Sequence, residues 1–575
     1  MDKTIEVAVI LVYLLFLLGI GFSFRKLDRD ASDYFRSGCR GTWWLVGTSV
    51  FMSGISAITF TSNGGVAYAA GLSYLVIYLG NVIAFVINAL WLAPWFRQLR
   101  AITFPEVVRM RYGASAQQIY AYVGLVVFLL GAGIQLWALA LFSSTIFGLP
   151  ILWVIIGIGA VVMIYSTTGG SWAVMGTDFV QGLMMLPMTA LIAVLCIQEV
   201  GGLGLFIERL GDPALHGDYQ LLKPQGHELA GKFGLPWIGA MLLFQIMTQC
   251  SLNSAQRYFS VKDGKEARWS AWLAAGLMAM GTLCWIIPPI TGRMLFADQI
   301  ATLPLNNPAE GAYAFVSTRL LPNGLAGMIV VAMFAATMSS MDTGINRNAA
   351  MVVRDVLPAL RRLTGLKPIP PEAEVKIGRA TSIFFGCLII GISCYFAGAS
   401  GHGIFEVAFR IGAVIGGPLT VPLVLGIFVR RVPRWSVFVA VGCATLPSLV
   451  ELYRTTALGL PAFSWPTITF LVYGLGALGF LATRPFARRM TPAYREQVDE
   501  FYTRMHRPID FAREVGEAND DFQLRILGRF ALAVGGFVTL LVFLPNPLSA
   551  RFMIVGIAAF VAAVGGFMMW RASKR

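Results

Sequence analysis

Charged and metal-binding residues are scarce in this sequence. Asp, Glu, Lys and Arg make up 13% of the 575 residues, whereas a soluble domain carries about 25%. The four histidines stand at 216, 227, 402 and 506 without metal-binding spacing, and the seven cysteines lie mostly within apolar runs. No glycine-rich phosphate loop is present, so ATP is not expected to supply energy. These shortages disfavour an enzyme, a zinc site and a disulfide framework, and they predict that no enzyme cofactor is needed.

Apolar residues are abundant instead. They make up 57% of the chain, whose mean hydropathy is +0.70. Runs of about 20 apolar residues are long enough to cross a bilayer as helices. We therefore predict an all-α polytopic membrane protein with about fifteen spans. The predicted spans are 5–24, 43–68, 71–96, 118–146, 150–168, 175–198, 235–256, 270–292, 322–345, 377–398, 404–429, 435–453, 464–483, 530–544 and 552–570.

The net charge of +14 is distributed in short clusters between the apolar runs, which favours a membrane topology over a nucleic-acid partner. If the N-terminus is outside, 35 of the 44 Lys and Arg residues fall in cytoplasmic segments and only eight fall outside. The first apolar run follows MDKTIE, which lacks the positive start of a cleavable signal peptide. The sequence thus predicts a multi-pass protein of the plasma (inner) membrane with a cytoplasmic C-terminus.

Ten of the predicted spans lie between about 42 and 430, a number that allows two five-helix repeats of opposite orientation. Inverted repeats of this kind bind substrate and ions where the first helix of each repeat is broken. The corresponding stretches, 51–65 and 247–257, are unusually polar for mid-membrane helices, and Gly54 weakens the first. The predicted order is an extra helix with its loop (1–41), the first repeat (42–200), an external loop (201–234), the second repeat (235–430), two further spans (431–483), a cytoplasmic segment (484–529) and a C-terminal hairpin (530–575).

One predicted span carries oxygen-bearing side chains on a single face. Ser339, Asp342 and Thr343 are three and four residues apart, which places them together on a helix, with Ala336 and Ser340 on an adjacent strip. Hydroxyl and carboxylate oxygens beside small residues suit a hard cation such as sodium. The alternative is a helix end that enters the cytoplasm, where Asp342 is merely solvated.

Several stretches of the chain resemble the sodium/solute symporters, the family of the sodium–glucose, sodium–proline and bacterial sialic acid transporters. The resemblance covers most of residues 1–485, and five stretches in family order carry it: SDYFRSGCRGTWWLVGTSV (32–50), ITFPEVVRMRYG (102–113), GGSWAVMGTDFVQG (169–182), AQRYFSVKDGKEAR (255–268) and AATMSSMDTGIN (335–346). It implies a LeuT-like five-plus-five inverted-repeat core. It also implies sodium-coupled import of a small polar solute by alternating access.

The resemblance implies a sodium site made by two backbone carbonyls of the first core helix and three residues of the eighth. These fall on Met52, Ile55, Ala336, Ser339 and Ser340. Some members resemble a two-sodium arrangement, whose second site falls here on Asp178, Ser339, Asp342 and Thr343. Asp342 departs from an all-hydroxyl version of that second site. It either strengthens ion binding or pairs with a nearby cation.

The substrate is harder to predict. Arg410 stands where sugar-transporting members carry a glutamine, and it suggests a substrate carboxylate because guanidinium binds carboxylates through two parallel hydrogen bonds. The competing interpretation is that Arg410 neutralises Glu406, one helical turn earlier. The resemblance and the polar character of the breaks give a predicted substrate set of Ser56, Thr59, Tyr74, Tyr78, Gln135, Ser251 and Arg410.

The sequence as a whole predicts a sodium-coupled symporter for an acidic sugar or another carboxylate, with Na+ as the coupling ion. A neutral sugar or polyol, or proton coupling on the same fold, is the alternative. The expected partners are the small-molecule substrate, sodium ions and the lipid bilayer, and the protein is expected to work as a monomer. Segment 484–529 is predicted to form short cytoplasmic helices of unassigned role.

Overall fold

The computed structural model describes residues 8–13, 15, 16, 19, 23, 36–166, 170–212, 215, 217–223, 226–399 and 403–574. These residues form an all-helical protein, as predicted. The first repeat contains α1 (Trp43–Ser53), α2 (Ala57–Phe60), α3 (Ser62–Ala70), α4 (Ser73–Ile87), α5 (Phe104–Tyr112), α6 (Ala114–Phe147), α7 (Ile151–Ser166) and α8 (Ser171–Val200). After α9 (Leu203–Leu210), the second repeat contains α10 (Leu235–Gln249), α11 (Gly264–Leu295), α12 (Ala312–Leu320), α13 (Leu325–Met351), α14 (Pro371–Ala399), α15 (Ile404–Ile411) and α16 (Gly417–Phe428). The remaining long helices are α17 (Ser436–Thr456), α18 (Trp465–Ala482), α19 (Pro492–His506), α20 (Asp520–Leu540) and α21 (Leu548–Ser573).

The described helices agree with most of the predicted spans. Twelve are long and apolar enough to cross a membrane, and the bent pair of α1 with α2 and α3 makes a thirteenth. The predicted span 150–168 corresponds to α7, whose apolar stretch is shorter, and the predicted span 5–24 lies largely outside the described residues. Helix α20 begins at Asp520, so the last part of the predicted cytoplasmic segment 484–529 belongs to a membrane-length helix.

Both predicted helix breaks are present. Helix α1 ends at Ser53, and α2 starts at Ala57 after Ser56, whose hydroxyl accepts from the Ile58 N–H, as helix-capping serines do. The chain direction changes by 58° across this break. In the second repeat, α10 ends at Gln249 and a 3-10 helix spans Leu252–Ser260. The two breaks leave polar backbone groups inside the membrane region, which is tolerated only where other protein groups or ions satisfy them.

Helix α13 lies at the centre of the molecule. In its apolar stretch 94% of the residues are buried, against 56% or less in the other straight membrane-length helices. It contacts α1, α6 and α8. Because this helix is enclosed by other helices, its polar residues contact neither water nor lipid headgroups. They must therefore find hydrogen-bond or ion partners within the protein.

One face of the bundle, the basic face, joins α5, the start of α11, the end of α16 and α19. Arg111 is fully buried there and donates to the carbonyls of Gly426 (3.1 Å), Val429 (2.9 Å) and Arg430 (3.1 Å) and to the Tyr494 hydroxyl (3.2 Å). The bond to Tyr494 attaches α19 to α5, and the three bonds to carbonyls attach α5 to the end of the second repeat. The segment 492–506 is therefore part of the packed structure.

The same face joins the start of the first broken helix to the end of the second. Gly41 and Val261 form a parallel bridge in which the Gly41 N–H donates to the Ser260 carbonyl (2.9 Å). Gln523 of α20 is buried beside it and accepts from the Thr42 hydroxyl (2.9 Å). Thr42 immediately precedes α1, so this contact fixes the start of the broken helix.

The opposite face carries the loops 201–234 and 296–324. Glu310 is 2% exposed and accepts from the Phe405 N–H (3.3 Å) at the start of α15. Burial raises the pKa of Glu310 above its ordinary value of 4.5, while the N–H groups of Ile404 and Phe405 and the side chain of Asn307 act in the opposite direction. This carboxyl joins the loop to the start of α15.

We expect Glu310→Gln to remove a pH dependence of stability. A carboxyl whose pKa is raised on folding stabilises the protein below its unfolded pKa of 4.5, and this stabilisation is lost as pH rises through the folded pKa. The Gln variant should therefore show a flatter melting temperature from pH 4.5 upward, measured on purified protein. Glu310→Ala should cost about 1–2 kcal/mol at every pH, because the Phe405 N–H loses its acceptor. Glu228→Gln, an exposed change in loop 201–234, is the matched control.

Candidate ion and substrate site

The break between α1 and α2 faces α13. The N–H of Ala57 donates to the Thr337 hydroxyl (2.8 Å), and the hydroxyls of Ser53 and Thr343 lie 3.3 Å apart. A side chain of α13 thus satisfies one of the N–H groups that a helix start leaves unpaired. These contacts bring the two helices that carry the predicted sodium ligands together.

The first predicted sodium set lies at this junction. Met52 and Ile55 flank the break and are buried, and the Ile55 N–H donates to the Met52 carbonyl (3.3 Å). In the described part of the chain, no backbone N–H donates to the Ile55 carbonyl. Ser340 donates to Gln135 (2.9 Å) and to the Thr337 carbonyl (3.0 Å), while Ala336 lies fully buried one turn earlier.

The second predicted set surrounds Asp178 of α8. This aspartate is fully buried, and its Oδ2 accepts from the Ser49 hydroxyl, whereas its Oδ1 has no hydrogen-bond partner among the described residues. The Ser339 hydroxyl lies beside Asp178 but outside hydrogen-bonding geometry, and in the described residues it too lacks a partner. Buried oxygens are normally satisfied, so two adjacent unsatisfied ones fit a cation between them.

Asp342 lies near Asp178, and the Ser166 hydroxyl donates to its carboxylate. Two carboxylates in one buried region repel each other unless a positive charge is close. Arg257 supplies one such charge: its Nη2 lies 3.7 Å from Asp178 Oδ2 and donates to the Thr343 hydroxyl. No local pattern selects Ser49, Ser166 or Arg257, because each of these contacts joins residues at least 79 positions apart.

Four predicted substrate residues lie together around the first break. Ser56 and Thr59 cap α2, and the Tyr78 hydroxyl lies near Thr59 while accepting from Asn63 (2.9 Å). The rings of Tyr74 and Tyr78 have centroids 5.1 Å apart, and both are buried. Tyr74 also presents a hydroxyl with no partner in the described chain. Aromatic faces beside hydroxyls are groups that bind sugars and similar polar solutes.

The other three predicted substrate residues lie apart from this group. Gln135 bonds Ser340 of the first predicted sodium set. Ser251 lies at the second break and donates to the Thr248 carbonyl (2.9 Å). Arg410 pairs with Glu451 of α17 and lines two pockets to which none of the other predicted substrate residues contributes. The sequence analysis proposed Glu406 as the carboxylate that Arg410 neutralises, and the structure adds Glu451 as a partner of Arg410.

A small polar cavity opens between the two breaks toward the basic face. It measures about 110 Å³, and its lining includes Ser53, Asn88, Gln249, Arg257 and Arg347. Arg347 forms no ion pair with any described residue. Two guanidinium groups and several amides make this cavity suitable for an anionic group.

Two repeats with broken first helices, and buried unsatisfied oxygens beside the breaks, are typical of secondary transporters. The sequence profile described as "Sodium:solute symporter family" matches residues 34–441. The chain belongs to this family: it is a sodium-coupled symporter in which Na+ is the coupling ion.

Individual relatives agree with this assignment. The chain is 27% identical to the rat sodium/glucose cotransporter 2 over 473 residues, which cover 76% of this chain and 70% of that protein. It is 26% identical to the sodium/sialic acid symporter NanT of Aliivibrio fischeri over 507 residues, which cover 86% of this chain and 96% of that protein. A solved structure of a Na+-coupled sialic acid symporter matches with a TM-score of 0.69 at 22% identity, covering 85% of this chain and 98% of that one. That structure shows the same fold.

Proposed function

We propose that this symporter imports an acidic sugar or a related carboxylate together with sodium. The polar cavity lined by Arg257 and Arg347 carries the proposal, because it offers positive charge on the path from the breaks to the basic face. Similarity to sialic acid symporters along most of both chains supports it. Alternating access then moves sodium and substrate from one side to the other around the breaks.

In this proposal sodium binds at two places. The carbonyls of Met52 and Ile55 with Ala336, Ser339 and Ser340 form the first site, and Asp178, Ser339, Asp342 and Thr343 form the second. Ser56, Thr59, Tyr74 and Tyr78 bind the substrate, with Gln135 and Ser251 at its edges. The protein lies in the plasma (inner) membrane as a monomer, with its basic face in the cytoplasm.

Uptake into proteoliposomes tests the substrate class. We expect labelled sialic acid to accumulate under an inward sodium gradient and not under a potassium gradient, and unlabelled glucose or myo-inositol not to compete. A neutral sugar or polyol is the second candidate, favoured by the similarity to glucose and myo-inositol cotransporters. Accumulation of those solutes instead would contradict the acidic substrate, and uptake driven by a proton gradient without sodium would contradict sodium coupling.

Arg410→Gln tests whether this arginine binds the substrate carboxylate. If it does, the apparent affinity for the acidic substrate should fall about tenfold or more, as loss of a charged hydrogen bond predicts. The affinity for any neutral substrate should not change. Arg319→Gln, an exposed change on the loop face, is the matched control. An unchanged affinity would leave Arg410 with the Glu451 pair as its sole role.

A further inference from the structure

Arg257 occupies a position that a sodium ion at the second proposed site would also need. It lies in the 3-10 helix Leu252–Ser260, directly after the second break, and is 8% exposed. Its Nη2 contacts both Asp178 (3.7 Å) and the Thr343 hydroxyl. These are two of the four residues proposed to bind the second sodium ion.

A guanidinium and a sodium ion carry the same charge, so they repel each other when they share ligands. A hydroxyl that accepts a hydrogen bond from arginine also has one lone pair fewer for a metal ion. The carboxylate that Arg257 contacts is fully buried and would be costly to leave without any positive charge nearby. Sodium binding and the Arg257 contact therefore oppose each other.

The structure also gives Arg257 a place to move. The 110 Å³ cavity that Arg257 lines is also lined by Asn88, Gln249 and Asn253, whose amide oxygens can accept from a guanidinium. A movement of the side chain into this cavity would free Asp178 Oδ2 and the Thr343 hydroxyl.

We propose that Arg257 is a built-in competitor of the second sodium ion. It neutralises Asp178 and holds Thr343 when sodium is absent, and it moves into the polar cavity when sodium binds. The residue thereby lowers sodium affinity and promotes release of the ion toward the basic face. This inference rests on the second sodium site of the proposed function.

A sodium titration of the purified protein tests it, with thermal stabilisation as the readout and sodium as the only added ligand. Arg257→Gln should lower the half-saturating sodium concentration about tenfold, because the competing charge is gone. Arg257→Lys, whose shorter side chain keeps the charge, should give a smaller decrease and serves if the Gln variant does not fold. Arg268→Gln, an exposed change near the start of α11, should leave the titration unchanged. Structural damage alone would not tighten sodium binding.

Two outcomes overturn the competitor role: an unchanged or higher half-saturating concentration in folded Arg257→Gln, or a gain of affinity that persists when Asp178→Asn is added. The single variants Asp178→Asn and Ser340→Ala separate this result from a failure of the proposed sites. If neither of these two changes the sodium titration, the sodium sites themselves are wrong. If they weaken it and Arg257→Gln does not tighten it, only the competitor role is wrong.

Discussion

Ser339→Ala is expected to abolish sodium-dependent stabilisation and uptake while leaving the fold intact. Ser339 is the one side chain assigned to both proposed sodium sites. Loss of an oxygen bound to a charged partner costs about 1.5–3 kcal/mol, which corresponds to about ten- to hundredfold in sodium affinity at each site. In the proposed two-sodium arrangement, the two losses multiply in transport.

The fold should tolerate this change because the Ser339 hydroxyl has no hydrogen-bond partner in the described residues. Its removal leaves no group unsatisfied and creates only a small space. Ser143→Ala is the matched control: Ser143 is also buried, but its hydroxyl bonds the Leu139 carbonyl of its own helix. Ser340→Ala should affect the first site alone and so weaken sodium binding less than Ser339→Ala. A sodium titration of Ser339→Ala that matches the unmodified protein would contradict both sites.

Arg111→Met is expected to destabilise the protein by about 3–5 kcal/mol, because it removes several hydrogen bonds made by a buried charged group, each worth about 1.5–3 kcal/mol, while it also relieves the burial of that charge. The methionine fills most of the volume, so the loss comes from the four hydrogen bonds. It leaves the carbonyls of Val429 and Arg430 and the Tyr494 hydroxyl without their Arg111 donor, whereas the Gly426 carbonyl keeps the Tyr502 hydroxyl (2.9 Å). It also removes a guanidinium whose carbon lies 4.9 Å from the Tyr112 ring centroid, a distance typical of cation–π contact.

Thermal unfolding in detergent measures this effect, and limited proteolysis of segment 484–519 shows where the structure loosens. Arg109→Met is the control on the same short helix, because Arg109 is exposed. Arg111→Lys should give an intermediate result, since an ammonium keeps the charge but cannot reach four acceptors in one plane. Equal stability of the Arg109 and Arg111 variants would show that α19 does not depend on Arg111 for its attachment.

Local sequence signals predicted the features that short segments determine. The break at Gly54 to Ser56 follows from a glycine within an unusually polar stretch of a predicted span, and the structure shows it. The spacing of Ser339 and Thr343 on one helix face needs only the helical repeat. The direction of that face, toward Asp178 and the first break, agrees with the family resemblance.

Contacts between segments distant in sequence could not be predicted from such local signals. Arg257 ended a predicted span, so its charge carried no signal until the fold placed it beside Asp178. The partner of Arg410 was sought one turn away at Glu406, whereas the structure supplies Glu451 from another helix. Segment 484–529 was expected to form short helices, but nothing in its composition indicated that Arg111 would anchor it.

The bond between Thr42 and Gln523 joins residues 481 positions apart. A ribosome releases Thr42 early and Gln523 only when the chain is nearly finished, so this contact is among the last that biosynthesis can complete. Until then, the start of α1 lacks the hydrogen bond to Gln523. In nascent chains that stop before α20, the residues around the first break should therefore be less well ordered. We expect packing of the final helical hairpin to complete the fold after insertion into the membrane.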